Sequence, residues 1–216
     1  MFRIRMIATM ATDRGIGLKK KTPWQQEGIF LTTNMQHFRQ MVMRTQTEKH
    51  ILIKTKKKHS TNAIIMGRVT HNTTPHGPIQ NCAQYVLTSS PQPSLNPNLF
   101  FMNSIDACIE HACNPWIRSS PQQRANARQD EVPVPSVRDV WIVGGECVYR
   151  QFLTQRKYPL YDIWITRVQN NFDSDRFMPP FEHMFRRVLL SYVPQVDPYL
   201  YQFERWIPRC AHTDST

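Results

Sequence analysis

The feature that most constrains the fold is a strand that ends in two glycines and leads directly into a helix. Val137–Val143 has strand character, Gly144-Gly145 follow, and Glu146–Thr154 has helical character. Two glycines at a strand end let the backbone approach a ligand closely, and the first amides of the helix offer an anion site. A glycine pair alone is a weak signal, because many such pairs only make turns. The pattern predicts one strand–turn–helix unit of an α/β protein.

The rest of the chain repeats this alternation of strands and helices. Two final strands, Arg186–Pro194 and Tyr199–Trp206, follow each other without a helix and predict an antiparallel edge. We therefore expect a single α/β domain over residues 1–216, with a central twisted, mostly parallel sheet and flanking helices. The other predicted strands are Phe2–Ala11, Asn62–Gly67, Gln84–Thr88, Asn98–Met102 and Tyr161–Val168, and the other predicted helices are Phe30–Met43 and Ser104–Ala112.

Two insertions depart from this pattern, and the first of them is strongly basic. The chain has a formal net charge of +11, and residues 44–60 form a basic insertion while residues 115–135 form a proline-rich one. Neutralisation of these segments by RNA phosphate or by an acidic protein surface would order them. The alternative is that both are ordinary loops of an enzyme. The basic residues predicted to meet a partner are Lys54, Lys56, Lys57, Lys58, Arg118, Arg124 and Arg128.

Cysteine spacing and apolar run length restrict the class of protein. Five cysteines form no CxxC pair, which argues against a disulfide framework, a zinc finger or another metal site and favours a reducing compartment. No apolar run approaches the roughly 20 residues of a membrane span. Arg3 and Arg5 give the N-terminus the basic, acid-free character of a mitochondrial presequence, but it also reads as the first strand. A mitochondrial location is the favoured expectation and a cytoplasmic one the alternative.

Four further motifs, taken with the glycine pair and in this order, identify a resemblance to a known family. Gly15-Ile16-Gly17 is followed by Thr22-Pro23-Trp24, and Ile64–Arg68 leads into Thr70. Tyr161–Arg167 and the segment Asn171–Phe177 complete the set. The chain resembles the dihydrofolate reductases over most of its length. The resemblance implies eight mostly parallel strands with four helices, an NADPH groove and an adjoining pterin pocket.

The resemblance assigns the pterin pocket residue by residue. Trp24 matches a tryptophan that holds a water near the pterin, and Phe38 matches an aromatic residue that packs on the substrate. Thr166 matches the threonine that steadies the acidic partner of the pterin. The remaining substrate-pocket positions are Thr9, Met35 and Ile79.

The resemblance likewise assigns an NADPH site, with one departure. Glu146 follows the glycine pair, and its carboxylate would lie near the expected pyrophosphate, so weak or absent NADPH binding is expected. A purely structural role is also open, since an acid in the first turn stabilises its own helix. The implied cofactor positions are Gly17, Thr22, Gly67, Arg68, Thr70, Val143, Gly144, Gly145, Glu146 and Tyr149.

A second departure falls on the catalytic acid. The resemblance implies an Asp or Glu four residues before Phe38, and Asn34 stands there. An amide cannot carry the negative charge that pairs with the pterin and promotes its protonation. Glu27 is a candidate substitute. His71 is a second candidate acid, although a lone histidine in a helix is more often structural.

These departures favour one function and leave two others open. The favoured hypothesis is a dihydrofolate-reductase-like protein that has lost reductase activity. It would serve as a structural or interaction component of an RNA-containing organellar assembly. The alternative is a divergent, active enzyme that transfers hydride from NADPH to 7,8-dihydrofolate, giving tetrahydrofolate. The third is a binding module that keeps a nucleotide without turnover.

Overall fold

Eight strands form one mixed sheet, and two short strands form a separate ladder. A computed structural model describes residues 2–43, 61–74, 82–114, 125, 137–192 and 198–209. The basic insertion, nearly all of the proline-rich one, all seven predicted partner-binding residues and Ile79 lie outside these ranges. The chain divides into two compact units, which we call unit one (Met1–Arg3 with Gln36–Ile142) and unit two (Ile4–Met35 with Val143–Thr216).

Unit one contains four parallel strands in the order β5, β4, β3, β6. Its central strands are apolar and buried on both faces, as parallel strands covered by helices require. Ser104 caps α4, because its side chain accepts a hydrogen bond from the backbone N–H of Ala107 at 3.1 Å. The elements are β3 (Thr61–Gly67), α3 (Arg68–Thr73), β4 (Cys82–Leu87), β5 (Leu99–Met102), α4 (Ile105–Cys113) and β6 (Val137–Ile142).

Unit two contains the strands β1, β7, β10 and β9, in that order. β1 pairs with β7 in parallel, whereas β10 pairs with both β7 and β9 in antiparallel fashion. The short strands β2 and β8 pair with each other. The helix α2 (Thr32–Met43) begins in unit two and continues into unit one. The other elements are β1 (Arg3–Met10), β2 (Gly15–Gly17), α1 (Pro23–Gln26), α5 (Glu146–Thr154), β7 (Leu160–Val168), β8 (Arg176–Phe177), β9 (Phe185–Tyr192) and β10 (Tyr201–Pro208).

Two fully buried carboxylates are built into the sheet of unit two. Asp162 accepts hydrogen bonds from Arg5 at 2.8 Å and from Arg205 at 2.9 Å. Glu204 accepts from Arg167 at 2.8 Å and from the indole N–H of Trp206 at 2.8 Å. A buried carboxylate is tolerated only with such partners. Burial raises the pKa of Asp162, and the two guanidinium groups and the indole of Trp164 oppose that rise.

The predicted fold class is confirmed: the sheet is mostly parallel, with an antiparallel C-terminal edge and flanking helices. The predicted helix at Glu146–Thr154 has these bounds in the structure. The predicted helix at Phe30 begins at Thr32, and the Leu31 carbonyl accepts its first hydrogen bond, from the Met35 N–H at 3.1 Å. The elements α1, β2 and β8 have four residues or fewer, too few to show a period in the sequence.

Candidate active site

Asn34 lies on the first turn of α2 and is held by a strand. Leu31 and Asn34 are both buried, which orients this face of the helix toward the interior of unit two. Asn34 is only 6% exposed, and its side-chain oxygen accepts a hydrogen bond from the hydroxyl of Thr9 at 3.0 Å. A carboxylate at this position would accept the same bond. The Thr9 hydroxyl can therefore hold either an amide or a carboxylate at this position.

Thr9 and Thr166 are neighbours in the parallel ladder of β1 and β7. Thr166 is buried, with 2% of its surface exposed. The family resemblance gave Thr166 the task of steadying the residue at the acid position, and Thr9 only a place in the substrate pocket. The hydrogen bond to Asn34 that the structure describes comes from Thr9. Thr9 is therefore the positioning residue of this side chain.

Glu27, the candidate substitute acid, is an exposed residue at the end of α1. Its carboxylate accepts a hydrogen bond from the hydroxyl of Tyr199 at 3.1 Å. The helix α2 itself carries no Asp or Glu. The structure therefore pairs Glu27 with Tyr199 near the surface of unit two and gives Asn34 an uncharged partner, Thr9.

Three further residues of the predicted pocket occupy buried or half-buried positions. Trp24 is 4% exposed and packs edge-on against Phe172, with ring centroids 6.0 Å apart. Met35 and Phe38 are half-buried residues of α2. Ile79 lies outside the described residues. Trp24 belongs to a core cluster of unit two that also contains Ala11, Leu31, Val168, Phe172 and Tyr201.

The glycine pair forms a tight connection between β6 and α5. The peptide bond between Gly144 and Gly145 is cis, and Gly144 has a φ of +117°. A Cβ on Gly144 would come within 3.1 Å of the Tyr149 hydroxyl, so a side chain has neither the backbone conformation nor the space it needs. The Tyr149 hydroxyl donates to the backbone carbonyl of Ile7 at 2.8 Å, and burial raises the pKa of this phenol. Tyr149 therefore fixes the glycine segment to β1.

Glu146 is the first residue of α5, and Arg150 of the same helix partly neutralises its charge. Gly145 caps the helix without a side-chain hydrogen bond, and its carbonyl accepts from the Val148 N–H at 3.0 Å, which leaves the amides of Glu146 and Cys147 to other acceptors. The Glu146 carboxylate accepts a hydrogen bond from Arg150, one turn later, at 2.6 Å. This ion pair weakens the repulsion that Glu146 would exert on a phosphate. The expectation of weak NADPH binding stays a prediction, with a smaller charge effect than an unpaired carboxylate would give.

In unit one, the predicted cofactor residues follow the end of β3. Gly67 caps α3 without a side-chain hydrogen bond, and the half-buried Thr70 lies in the helix. Arg68 is exposed and donates to the Thr88 hydroxyl at 3.3 Å. His71, one residue beyond Thr70, packs edge-on against Phe101 at 5.7 Å, and burial lowers the pKa of its imidazole. These contacts are typical of a structural histidine.

Gly17 ends β2 and leads into a tight hairpin. Leu18 and Lys21 exchange two backbone hydrogen bonds, at 2.9 and 3.0 Å. Lys19 and Lys20 between them both have positive φ, the conformation that hairpins of this length require. Thr22 follows the hairpin, and its backbone N–H donates to the side chain of Gln25 in α1 at 3.2 Å.

Neither a metal site nor a membrane-spanning helix is found among the residues with described positions. No three His, Cys, Asp or Glu side chains lie together there in a way that could hold a metal ion. No helix in those segments is both long enough and apolar enough to cross a membrane.

Comparison with known proteins decides the family. The family model described as dihydrofolate reductase matches residues 3–207. The chain belongs to the dihydrofolate reductase family. It is 26% identical to the dihydrofolate reductase of Aedes albopictus, over 87% of this chain and 85% of that protein. It is 22% identical to the dihydrofolate reductase of Gallus gallus, over 93% and 94% of the two chains.

Two further comparisons extend this result. The bifunctional dihydrofolate reductase-thymidylate synthase of Glycine max is 25% identical over 94% of this chain, which spans 33% of that longer protein. The fold is similar to that of a dihydrofolate reductase from Enterococcus faecalis complexed with NADP(H) and RAB-propyl. That match has a TM-score of 0.66 and 16% identity and covers 96% of each chain.

The partners that hold the site residues in place cannot be identified from the sequence. Thr9, Ile7 and Tyr199 act as partners of Asn34, Tyr149 and Glu27 through contacts between residues distant in the chain. The buried ion pairs of Asp162 and Glu204 were also missed. The sequence does contain one signal of these ion pairs. Each acid lies in a strand that is otherwise rich in apolar and aromatic residues, and the same strand also contains an arginine.

Proposed function

We propose that the protein is an NADPH-dependent oxidoreductase that reduces dihydrofolate to tetrahydrofolate without a carboxylate at the acid position. The observation that carries this proposal is the hydrogen bond between Thr9 and Asn34. It keeps a polar side chain in place at the position that the family uses to bind and protonate the pterin, while removing the negative charge. We therefore propose a slow enzyme at neutral pH, whose rate rises in acid.

The geometry of each unit supports NADPH as the cofactor. In unit two, the first amides of α5 lack a side-chain cap, and Gly144 leaves no side chain over the backbone of the turn. In unit one, Arg68 follows a glycine-capped strand end and offers a cation for a phosphate. The Enterococcus faecalis neighbour is complexed with NADP(H). When bound, NADPH supplies the hydride.

The chemistry left to Asn34 is binding rather than proton transfer. Its oxygen accepts from Thr9, and its amide N–H groups can donate to a ring nitrogen or carbonyl of the substrate. An amide neither holds a proton for transfer nor stabilises a protonated ring by charge. The proton must then come from solvent, and the fraction of protonated substrate limits the rate.

A second proposal is that the protein is a non-catalytic interaction component. The positive charge of residues 44–60 supports it. Residues 44–60 carry Arg44, Lys49, Lys54, Lys56, Lys57 and Lys58 against Glu48, which gives 6 − 1 = +5. RNA phosphate, or an acidic protein in an organellar assembly, would neutralise this segment. Deletion of residues 47–59 should then abolish salt-dependent binding to such a partner. Unchanged binding by the deletion variant would contradict the proposal.

NADPH oxidation by the purified protein with dihydrofolate, run beside an NADPH titration by fluorescence quenching, separates these functions. The reductase proposal predicts NADPH binding and a slow, dihydrofolate-dependent oxidation that quickens as the pH falls. Binding without turnover at any pH would establish a nucleotide-binding module. Absence of both binding and turnover would overturn the reductase proposal and favour the interaction component.

A further inference from the structure

In the part of the chain that the structure describes, β9 is an edge strand with side chains exposed on both faces of the sheet. It pairs with β10 on one side, and it is the last strand in the order of the sheet. All six residues of Arg186–Ser191 are exposed. Val188, Leu189 and Leu190 are 41%, 43% and 37% exposed. An edge that offers free backbone groups beside apolar side chains is a template for pairing with another strand.

A bulge distributes the side chains of β9 over both faces of the sheet. Leu189 lies opposite Arg205, whereas Arg187 lies opposite Trp206, so Val188 is the extra residue. Because of this shift, Arg187 and Leu190 share one face, and Arg186 and Leu189 share the other. Each face of the edge therefore presents one arginine and one leucine.

Among the described residues, the positive charge of this edge is only partly balanced by acids. The only acid in β9 or β10 is Glu204, which is fully buried and already bound by Arg167. Arg187 lies 3.7 Å from Glu204 with 45% of its side chain exposed. Arg186 has no ion-pair or hydrogen-bond partner among the described residues. Carboxylates supplied from outside would complement this surface.

We propose that β9 is the docking edge for an extended, acidic segment of another protein, which adds to the sheet as a further strand. Main-chain hydrogen bonds would hold the segment, Leu189 and Leu190 would contact its apolar side chains, and Arg186 and Arg187 would pair with its carboxylates. A second copy of this chain is disfavoured as the occupant, because both copies carry a net charge of +11 and bring arginines to the same edge.

The test uses the full chain and a labelled ten-residue peptide of alternating glutamate and valine, with blocked ends. We expect binding by fluorescence anisotropy at low salt, and shifts of the β9 amide signals in NMR spectra. Arg186→Glu should weaken binding about tenfold or more, as expected for a close charge pair at an interface. Arg156→Glu changes the net charge equally at an exposed site outside β9 and should leave the affinity within about twofold.

Any one of five results would overturn the proposal. One is an equal loss in the Arg186→Glu and Arg156→Glu variants, since general attraction to a cationic protein would then suffice. Another is equal binding of a peptide with prolines in place of its central valines, because prolines cannot pair as a strand. The third is equal binding of a lysine–valine peptide, and the fourth is displacement of the acidic peptide from β9 by an oligouridine. The fifth is dimerisation of the chain alone through β9, seen by sedimentation.

Discussion

The segment around Asn34 and the segment from Gly144 to Tyr149 belong to the same unit, but they differ from the family in different ways. Gly144 and Tyr149 stand at positions that the resemblance assigns to the cofactor site, and Tyr149 donates a hydrogen bond to the Ile7 carbonyl. Glu146, between them, is the departure in this segment. Asn34 stands at the position of the implied acid and accepts a hydrogen bond from Thr9, but its side chain carries no negative charge. Backbone register and packing therefore set where a side chain lies, and they leave its chemistry free to change.

The largest effect expected from this comparison is a gain of activity on restoring the acid. Asn34→Asp keeps the shape of the side chain and its bond from Thr9, and adds a charge that assists protonation. Such assistance is worth about 10²- to 10⁴-fold, so kcat with dihydrofolate at neutral pH should rise by this range. Steady-state NADPH oxidation measures it. Asn34→Leu, which adds no charge, is the control and should not raise kcat.

The next effect concerns the glycine segment, which the Tyr149 hydroxyl links to β1 by a hydrogen bond. Tyr149→Phe removes the donor to the buried Ile7 carbonyl and should lower the free energy of unfolding by about 1–3 kcal/mol. Urea denaturation followed by circular dichroism checks this value. Tyr201→Phe, which removes a buried hydroxyl that has no hydrogen-bond partner among the described residues, is the matched control. An equal loss of unfolding free energy in both variants would show that the hydrogen bond from Tyr149 to Ile7 does not stabilise the protein.

A smaller effect is expected from the charge at the start of α5. Glu146→Gln should strengthen NADPH binding, and Arg150→Gln should weaken it by exposing the Glu146 charge. Because this ion pair is exposed on the Arg150 side, each change should be no more than about fivefold. Fluorescence titration of NADPH measures both variants. A shift in the same direction in both would show that the carboxylate does not face the bound phosphate.

The smallest effect is expected at Glu27. Its carboxylate pairs with Tyr199 near the surface, so Glu27→Gln should change kcat by less than about twofold. The same NADPH oxidation assay applies. Loss of activity in this variant would identify Glu27 as the acid after all, and would remove the reason for the low rate that we assign to Asn34.

The fold was predictable from the sequence because its signals are local. Gly145 precedes the helical spacing of α5 and marks its start, and Ser104 does the same for α4. The short helix α1 gave no such signal, since four residues contain about one turn. For the site, the sequence located Asn34 but not its partner, because Thr9 lies 25 positions away on a strand. The pairing of Glu27 with Tyr199 joins residues 172 positions apart and could not be predicted for the same reason.

The most direct test of the central claim is the dependence of kcat on pH for the wild-type chain and for Asn34→Asp. If Asn34 leaves protonation to solvent, wild-type kcat should fall roughly tenfold for each unit between about pH 6 and about pH 8. The Asn34→Asp profile should be flatter over the same range and higher at its alkaline end. A wild-type rate that is independent of pH, and that Asn34→Asp does not raise, would contradict the account.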